Sequence, residues 1–460
     1  MIDSLRNIFA IPDLRKRVLF TFALLAVYRI GCIIPVPGVN PKALEELMSS
    51  AAQTMFGFIN TFSGGSLGRA AIFALGIMPY ITASIVLQLL TVVWPYLEKL
   101  SKEGELGRRK ITQYTRYGTL VVSLIQSTSI AFAVENMTAS GGQPLVMNPG
   151  WGFVLTTVLT LTTGCAFVMW LGEQISERGI GNGISLIIFA GIVDALPRAI
   201  LTTWKGIQDG NLNAFVVILL IPLMVAVVMG IVYMERSQRR VPVMYAKRQV
   251  GRKVYGGQST YLPLRVNTGG VIPVIFASSI AMIVPTIAGL VRWQPLTDVA
   301  EYFRWGNPFY YVIYIAAILF FSFFYVSIIF NPQDTAENMR KYGGFIPGIR
   351  SGRPTADHID GILTRLTLIG ALYLAAVSVL PELLLVGIKV DSLPFIGNWL
   401  AGITPDFIET GAGISFYFGG TSLLIVVGVA MDFVQQVESQ LVMRNYDGFL
   451  KKGRIRGRRG

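Results

Sequence analysis

The sequence predicts an all-α polytopic membrane protein, with ten transmembrane helices arranged as two five-helix halves. Three observations predict this. Of the 460 residues, 53% are hydrophobic and only 14% charged, and the mean hydropathy is +0.57, too apolar a balance for a soluble chain of this length. Ten stretches approach the length of about 20 mostly apolar residues that a helix needs to cross about 30 Å of hydrocarbon at about 1.5 Å per residue. Lys and Arg crowd onto alternate connecting loops.

The spans fall at roughly 18–36, 72–94, 117–134, 152–171, 184–201, 214–234, 270–291, 309–330, 362–386 and 413–434. From the N-terminus, every second connection holds 4, 6, 1, 8, 5 and 7 basic residues, 31 in all, with Arg198 and Arg365 counted in the adjoining loops. The other connections hold 2, 0, 2, 2 and 1, and Arg29 lies inside the first span, which completes the 39. The positive-inside rule then places both termini and the long basic loops in the cytoplasm. Ahead of the first span, residues 1–17 have amphipathic spacing (Ile2, Leu5, Ile8, Phe9) suited to the interface. The N-terminal half runs over 18–205, the C-terminal half over 206–435, and a basic tail over 436–460. Five spans per half is an odd number, so the halves enter the membrane from opposite sides. They can therefore be related by a pseudo-two-fold axis in the membrane plane.

Within the spans, Pro79, Pro222, Pro273 and Pro285 remove backbone donors and mark candidate breaks. Residues 56–70 are glycine-rich and semi-polar (Asn60, Thr61, Phe62, Ser63, Gly64, Gly65, Ser66, Leu67), too polar to span and too apolar for an ordinary loop. Composition suits either a short re-entrant helix or an interfacial one. Arg29 lies toward the outer end of the first span, within snorkelling reach of the interface, and Glu173, Asp194 and Asp432 lie near span ends. Such scarcity of mid-membrane charge weakens an ion-coupled transporter reading.

Enzyme chemistry finds little to use. The single histidine, His358, sits in a cytoplasmic loop with no Cys or second His nearby, so no metal site is expected. No phosphate-binding loop of the G-x-x-x-x-G-K-[ST] type occurs, so neither nucleotide nor any other cofactor is expected. Gly64 to Gly68 matches G-x-S-x-G, but topology puts Ser66 outside and His358 inside, so no catalytic residue is assigned. Cys32 and Cys165 both lie in apolar spans, which argues against a disulfide framework. The net charge of +13 follows from topology and from attraction to anionic lipid headgroups.

Two cytoplasmic loops carry more than topology. In 235–267, alternating apolar and polar residues around Gln249, Val250 and Gly251 predict a β-hairpin with a basic tip: Lys247, Arg248, Arg252 and Lys253. In 332–360, Pro347, Gly348, Ile349 and Arg350 form a turn that presents a guanidinium. Arg350 serves either a partner's carboxylate or phosphate or an intramolecular salt bridge that orders the loop.

At these residues the chain closely resembles the SecY family, the central subunits of bacterial protein-conducting channels. The resemblance rests on Ala74-Leu75-Gly76-Ile77-Met78-Pro79-Tyr80, Trp170-Leu171-Gly172-Glu173-Gln174, Gly179-Ile180-Gly181-Asn182-Gly183, Tyr245-Ala246-Lys247-Arg248-Gln249, Gly270-Val271-Ile272-Pro273, Pro347-Gly348-Ile349-Arg350 and Tyr417-Phe418-Gly419-Gly420-Thr421-Ser422. It implies two halves around a central pore, constricted by a ring of Ile77, Ile81, Ile188, Ile275 and Ile425. Branched aliphatic groups there can seal around a passing chain and dewet in its absence. It makes 56–70, including Phe62, Ser63, Gly64, Gly65, Ser66 and Leu67, a short re-entrant plug helix. It implies a lateral gate lined by Thr82, Gln126, Ser279 and Ile283, through which signal peptides and transmembrane segments reach lipid. The implied partners are the SecE and SecG subunits, the SecA motor, ribosomal RNA at the cytoplasmic loops, and signal-peptide-bearing chains. The rival readings are a secondary transporter and an intramembrane hydrolase acting through Ser66.

Overall fold

The computed structural model describes residues 11–40, 60, 63–135, 145–210, 214–245, 248–250, 253–255, 260–291, 294–303, 306–386 and 420–452; for some of these, including Arg248, Lys253 and Ile283, it describes the backbone only. Each of the ten predicted spans overlaps a helix among the described residues. They divide between two compact units, one of residues 1–204 with 429–460, the other of 205–428.

In the first unit, α1 (Pro12–Gly31) begins with proline at its first position, where a missing N–H costs nothing. Helix α2 (Met78–Val93) turns by 99° into the short amphipathic α3 (Pro95–Lys102). Pro95 causes the break, because its ring cannot continue the ladder of α2. Next come α4 (Glu105–Glu135), α5 (Trp151–Arg178) and α6 (Gly183–Gln208). The packing of α4 against α2 and α5 shows the solvent for which the fold is built. Its buried stripe is small or hydroxylated (Gly107, Thr115, Thr119, Ser123, Ser127, Ala131), whereas Leu120, Val121, Leu124, Ile125 and Phe132 face outward. Lipid is as apolar as leucine, so membrane helices associate through small residues and interhelical hydrogen bonds. One such bond joins Ser127 Oγ to Thr162 Oγ1 across 3.1 Å.

The α5–α6 connection is held from α1. Thr21 Oγ1 accepts from the Ile180 N–H at 3.2 Å, and Leu14, Val18, Ile180 and Val437 form a shared apolar cluster. Beyond α1, residues 34–36 pair with 70–72: Val36 N–H donates to the Ala70 carbonyl at 2.7 Å and Ile72 N–H to the Ile34 carbonyl at 2.9 Å.

The second unit contains α7 (Ala214–Arg236), α8 (Ile272–Val291), α9 (Gln294–Tyr302), α10 (Pro308–Ile329), α11 (Pro332–Lys341) and α12 (Arg353–Val386). Among these, α10 packs on both α8 and α12. The last helix, α13 (Gly420–Lys452), begins in this unit and ends in the first. Five short strands depart from an all-α fold among the described residues: β1 (Gln238–Tyr245), β2 (Arg248–Val250), β3 (Lys253–Tyr255), β4 (Thr260–Arg265) and β5 (Gly344–Phe345). They form an antiparallel sheet in the order β4-β1-β5 and the separate hairpin β2-β3.

By length and apolarity alone, six described helices could cross a membrane, or seven if α2 and α3 count as one. Two of the predicted proline breaks need correction. Pro79 and Pro273 occupy the second positions of α2 and α8, where the orphaned donors of a helix start tolerate proline; they begin helices rather than interrupt them. Pro222 lies inside α7 and Pro285 inside the range of α8.

Candidate functional site

The described part of the predicted plug is a chain of glycine turns closing on itself. Over 63–70 the backbone turns continuously, with Gly64 and Gly65 at φ +67° and +76°. Asn60 organises it: its carbonyl accepts from Gly65 N–H at 2.7 Å and its Oδ1 from Gly68 N–H at 2.7 Å. Ser66 Oγ donates to the Ser63 carbonyl, and Ala71 N–H to the Ser66 carbonyl. Ser63, Ser66 and Leu67 are buried. Ser66 is therefore a buried structural hydroxyl, donating within its own turn and lying in hydrogen-bond contact with the Cys32 thiol. That removes the support for a nucleophile elbow. Phe62 lies outside the described residues.

The turn is also held from α1 and α6. Tyr28 OH donates to the Ser63 carbonyl at 3.5 Å, and Arg29 Nη1 to the Gly64 carbonyl at 3.0 Å. Arg29 Nη2 forms an ion pair with Asp194. A carboxylate on α6 thus gives the Arg29 guanidinium, which the sequence puts within snorkelling reach of the interface, a partner inside the protein. The sequence held one signal for this contact, two opposite charges within separate apolar spans.

The five ring isoleucines are all buried. Each falls at a helix opening: Ile77 directly before α2, Ile81 and Ile275 at fourth positions, Ile188 and Ile425 at sixth positions. Ile81 N–H donates to the Ile77 carbonyl at 3.1 Å, which places that pair on one face. Three belong to the first unit and two to the second. Of the gate positions, Thr82 lies on α2 and Gln126 on α4, both half-buried, and these two helices pack together. Ser279 is buried on α8, its Oγ donating to the Ile275 carbonyl at 2.7 Å, one turn back on the same helix. Ile283 lies further along α8, with its side chain outside the described residues.

The two basic loops, separate in sequence, are joined into one body. β1 pairs with β5 through Met244↔Phe345 and Tyr245↔Gly344, and Val241, Leu264, Ile346, Ile359 and Leu363 form a small core beneath. From this body the predicted hairpin projects, Arg248↔Tyr255 to Val250↔Lys253, with Lys247 and Arg252 outside the described residues. Arg350 follows two anchors, Ile346 and Ile349, and a left-handed Gly348 at φ +82°. Its carbonyl accepts from Thr355 Oγ1 at 2.9 Å while its side chain is exposed. Among the described residues it makes no ion pair. Elsewhere in the first unit, Arg116 on α4 holds Glu173 on α5 at 2.7 Å, and this partner raises the guanidinium above its ordinary pKa. On α3 the Lys102 ammonium holds the exposed Glu98 carboxyl below its own.

The SecY family profile matches residues 71–434. The chain is 50% identical over 449 residues to protein translocase subunit SecY of Escherichia coli (strain K12), covering 97% of this chain and 96% of that one. It is 41% identical over 453 residues to the subunit of that name from Aquifex aeolicus (strain VF5), covering 98% and 100%. Among solved structures, "The structure of a protein conducting channel" matches with a TM-score of 0.62 at 17% identity, covering 96% of this chain and 94% of that one. Sec61 in the canine ribosome-channel complex from the endoplasmic reticulum matches with a TM-score of 0.57 at 16% identity, with the same coverage. The chain belongs to the SecY family, and its fold is that of these channels.

Proposed function

We propose that the chain is the pore-forming subunit of a Sec translocon in a bacterial inner membrane. It conducts unfolded, signal-peptide-bearing polypeptides across the bilayer and releases transmembrane segments sideways into lipid. The observation that carries this is its 50% identity, over 97% of its length, to a protein translocase subunit. The membrane-type packing of α4 and the absence of a usable nucleophile at Ser66 agree with a conduit driven from outside. The energy comes from the SecA motor or from chain elongation on the ribosome.

In this reading Ile77, Ile81, Ile188, Ile275 and Ile425 converge as the seal. The turn held by Asn60 fills the outer funnel, and the seam between α2 with α4 and α8 with α10 opens as the gate. Both termini face the cytoplasm. The β1-β5 body and its hairpin dock ribosomal RNA or SecA, with Arg350 as the exposed contact; SecE and SecG complete the assembly, and anionic lipids attract the basic loops. Support for docking comes from the fold of the loops themselves, since a core of its own and an inter-loop strand pairing are more than topology-setting charge requires.

The test is reconstitution. Proteoliposomes holding this chain with its copurifying subunits should protect a signal-peptide-bearing substrate from external protease when a motor and ATP are present. A substrate lacking the signal peptide should stay accessible. Equal protection of both, or ion-coupled uptake of a small solute by the chain alone, would refute the reading.

A further inference from the structure

We infer that Asp194 is a positioning residue that holds the Arg29 guanidinium on the glycine turn 63–71 and so sets how readily that turn releases. Its consequence for the channel rests on the plug reading above; its geometry does not.

Arg29 lies in the last turn of α1, where unsatisfied helix carbonyls favour a cation. One nitrogen pairs with Asp194 on α6 and the other donates to the Gly64 carbonyl at 3.0 Å. A planar guanidinium can serve both at once, and a carboxylate on one edge fixes the direction in which the other edge donates. The turn's fit to this grip depends on glycine. At Gly64 a Cβ would stand 3.0 Å from Gly191 Cα on α6 and 3.3 Å from Arg29 Nη1, at a φ of +67° that side chains resist. The bare backbone therefore nests between α6 and the arginine. Neither charged side chain is fully covered, at 27% and 31% exposed, so the pair can break without leaving a fully buried charge. A latch must come undone, and this one is placed to do so. The turn's own charge is on Arg69, whose side chain is half-buried. Among the described residues the turn's other bonds run between neutral groups: within 60–71, from Val36 N–H to the Ala70 carbonyl, between Ser66 and Cys32, and from Tyr28 OH, whose reach to Ser63 is longer at 3.5 Å. The Arg29 contact is the charge-assisted one.

The turn's own amides provide the readout. Those of Gly65, Ser66, Leu67, Gly68, Ala70 and Ala71 are all hydrogen-bonded, so their hydrogen exchange reports opening of 63–71 directly. Exchange is measured on the full chain in lipid nanodiscs, with whatever subunits accompany it, using 115–131 on α4 as internal reference. Asp194→Asn should raise exchange over 63–71 about tenfold relative to the reference, a change equivalent to about 1.4 kcal/mol. Asp194→Glu, which keeps the charge, should restore protection. Unchanged exchange over 63–71 overturns the inference. Should Asp194→Asn fail to fold, the neutral pair Arg29→Gln/Asp194→Asn leaves no unpaired charge and decides the same comparison. An equal rise in both segments from that pair marks a merely structural ion pair and also overturns the inference. Ion conductance in a planar bilayer separates the two readings. Release of the turn with leakage upholds both. Release without leakage upholds the latch and removes the plug.

Discussion

Gly183 opens α6 at the end of the Gly179–Gly183 motif, and the structure gives its reason as contact between two backbones. A Cβ at this position would stand 2.0 Å from the Gly172 carbonyl oxygen, 2.8 Å from its carbon and 2.8 Å from Ile175 Cβ. Ordinary contact begins near 3.4 Å, so α5 and α6 would have to separate by about 1.4 Å at this point, the difference between 3.4 and 2.0. Two of the three close atoms are main chain and the third is a Cβ fixed directly to it, so no rotamer change relieves the contact. The same shift strains the 2.8 Å bond from Gly183 N–H to Ser176 Oγ. Overpacking costs about 1–3 kcal/mol and a lost hydrogen bond about 0.5–1.5 kcal/mol, against at most about 1 kcal/mol of helix propensity regained by alanine. Gly183→Ala is therefore expected to destabilise by about 1–3 kcal/mol. Gly152→Ala on α5, with nothing within 4 Å of its added Cβ, should be neutral or slightly stabilising. The assay is equilibrium unfolding of the purified chain in one detergent, all three proteins side by side. If Gly183→Ala is as stable as Gly152→Ala, the close-approach account of this motif is wrong.

Three further outcomes follow from the site. Arg350→Glu should leave expression and subunit association near normal but abolish motor- or ribosome-driven translocation, with Arg350→Lys intermediate because it loses the planar fork; normal transport by the Glu variant would remove Arg350 from partner coupling. In a background without Cys32 and Cys165, the pair Thr82→Cys/Ile283→Cys should crosslink in the idle channel and block transport, and full transport with the crosslink formed would argue against a gate at this seam. Reporter fusions after Lys205 and Ala300 should appear outside and those after Val250 and Phe345 inside, whereas a cytoplasmic signal at Ala300 would overturn the span count.

Each hydropathy span overlaps a helix because hydropathy measures what lipid demands. It placed several boundaries poorly because helices continue where lipid does not. α1 starts at Pro12 rather than near 18, α4 at Glu105 rather than 117, and α12 at Arg353 rather than 362, each adding polar turns that a hydropathy window cannot see. The hairpin at Gln249 was legible from local alternation; the pairing of Tyr245 with Gly344 was not, since it joins residues about 100 apart with no local signature. The same limit hid the contact of Arg29 with Asp194 and Gly64, three residues brought together from three segments. The spacing of Thr115, Thr119, Ser123, Ser127 and Ala131 on α4 was present in the sequence, and it reads as a packing face once lipid is taken as the solvent. The ring, gate and docking residues came from family resemblance, because an isoleucine that seals a pore is chemically the same as one that fills a core.

The central claim, that polypeptide passes a seal built from five isoleucines, is tested most directly by placing a photoreactive amino acid at Ile77, Ile81, Ile188, Ile275 and Ile425 in turn. A chain is then arrested in mid-translocation and the products resolved. All five positions should crosslink to the arrested chain, while outward-facing Leu124 and Ile125 on α4 should crosslink to lipid alone. Crosslinks to the chain at Leu124 or Ile125, with none at the five isoleucines, would contradict the account.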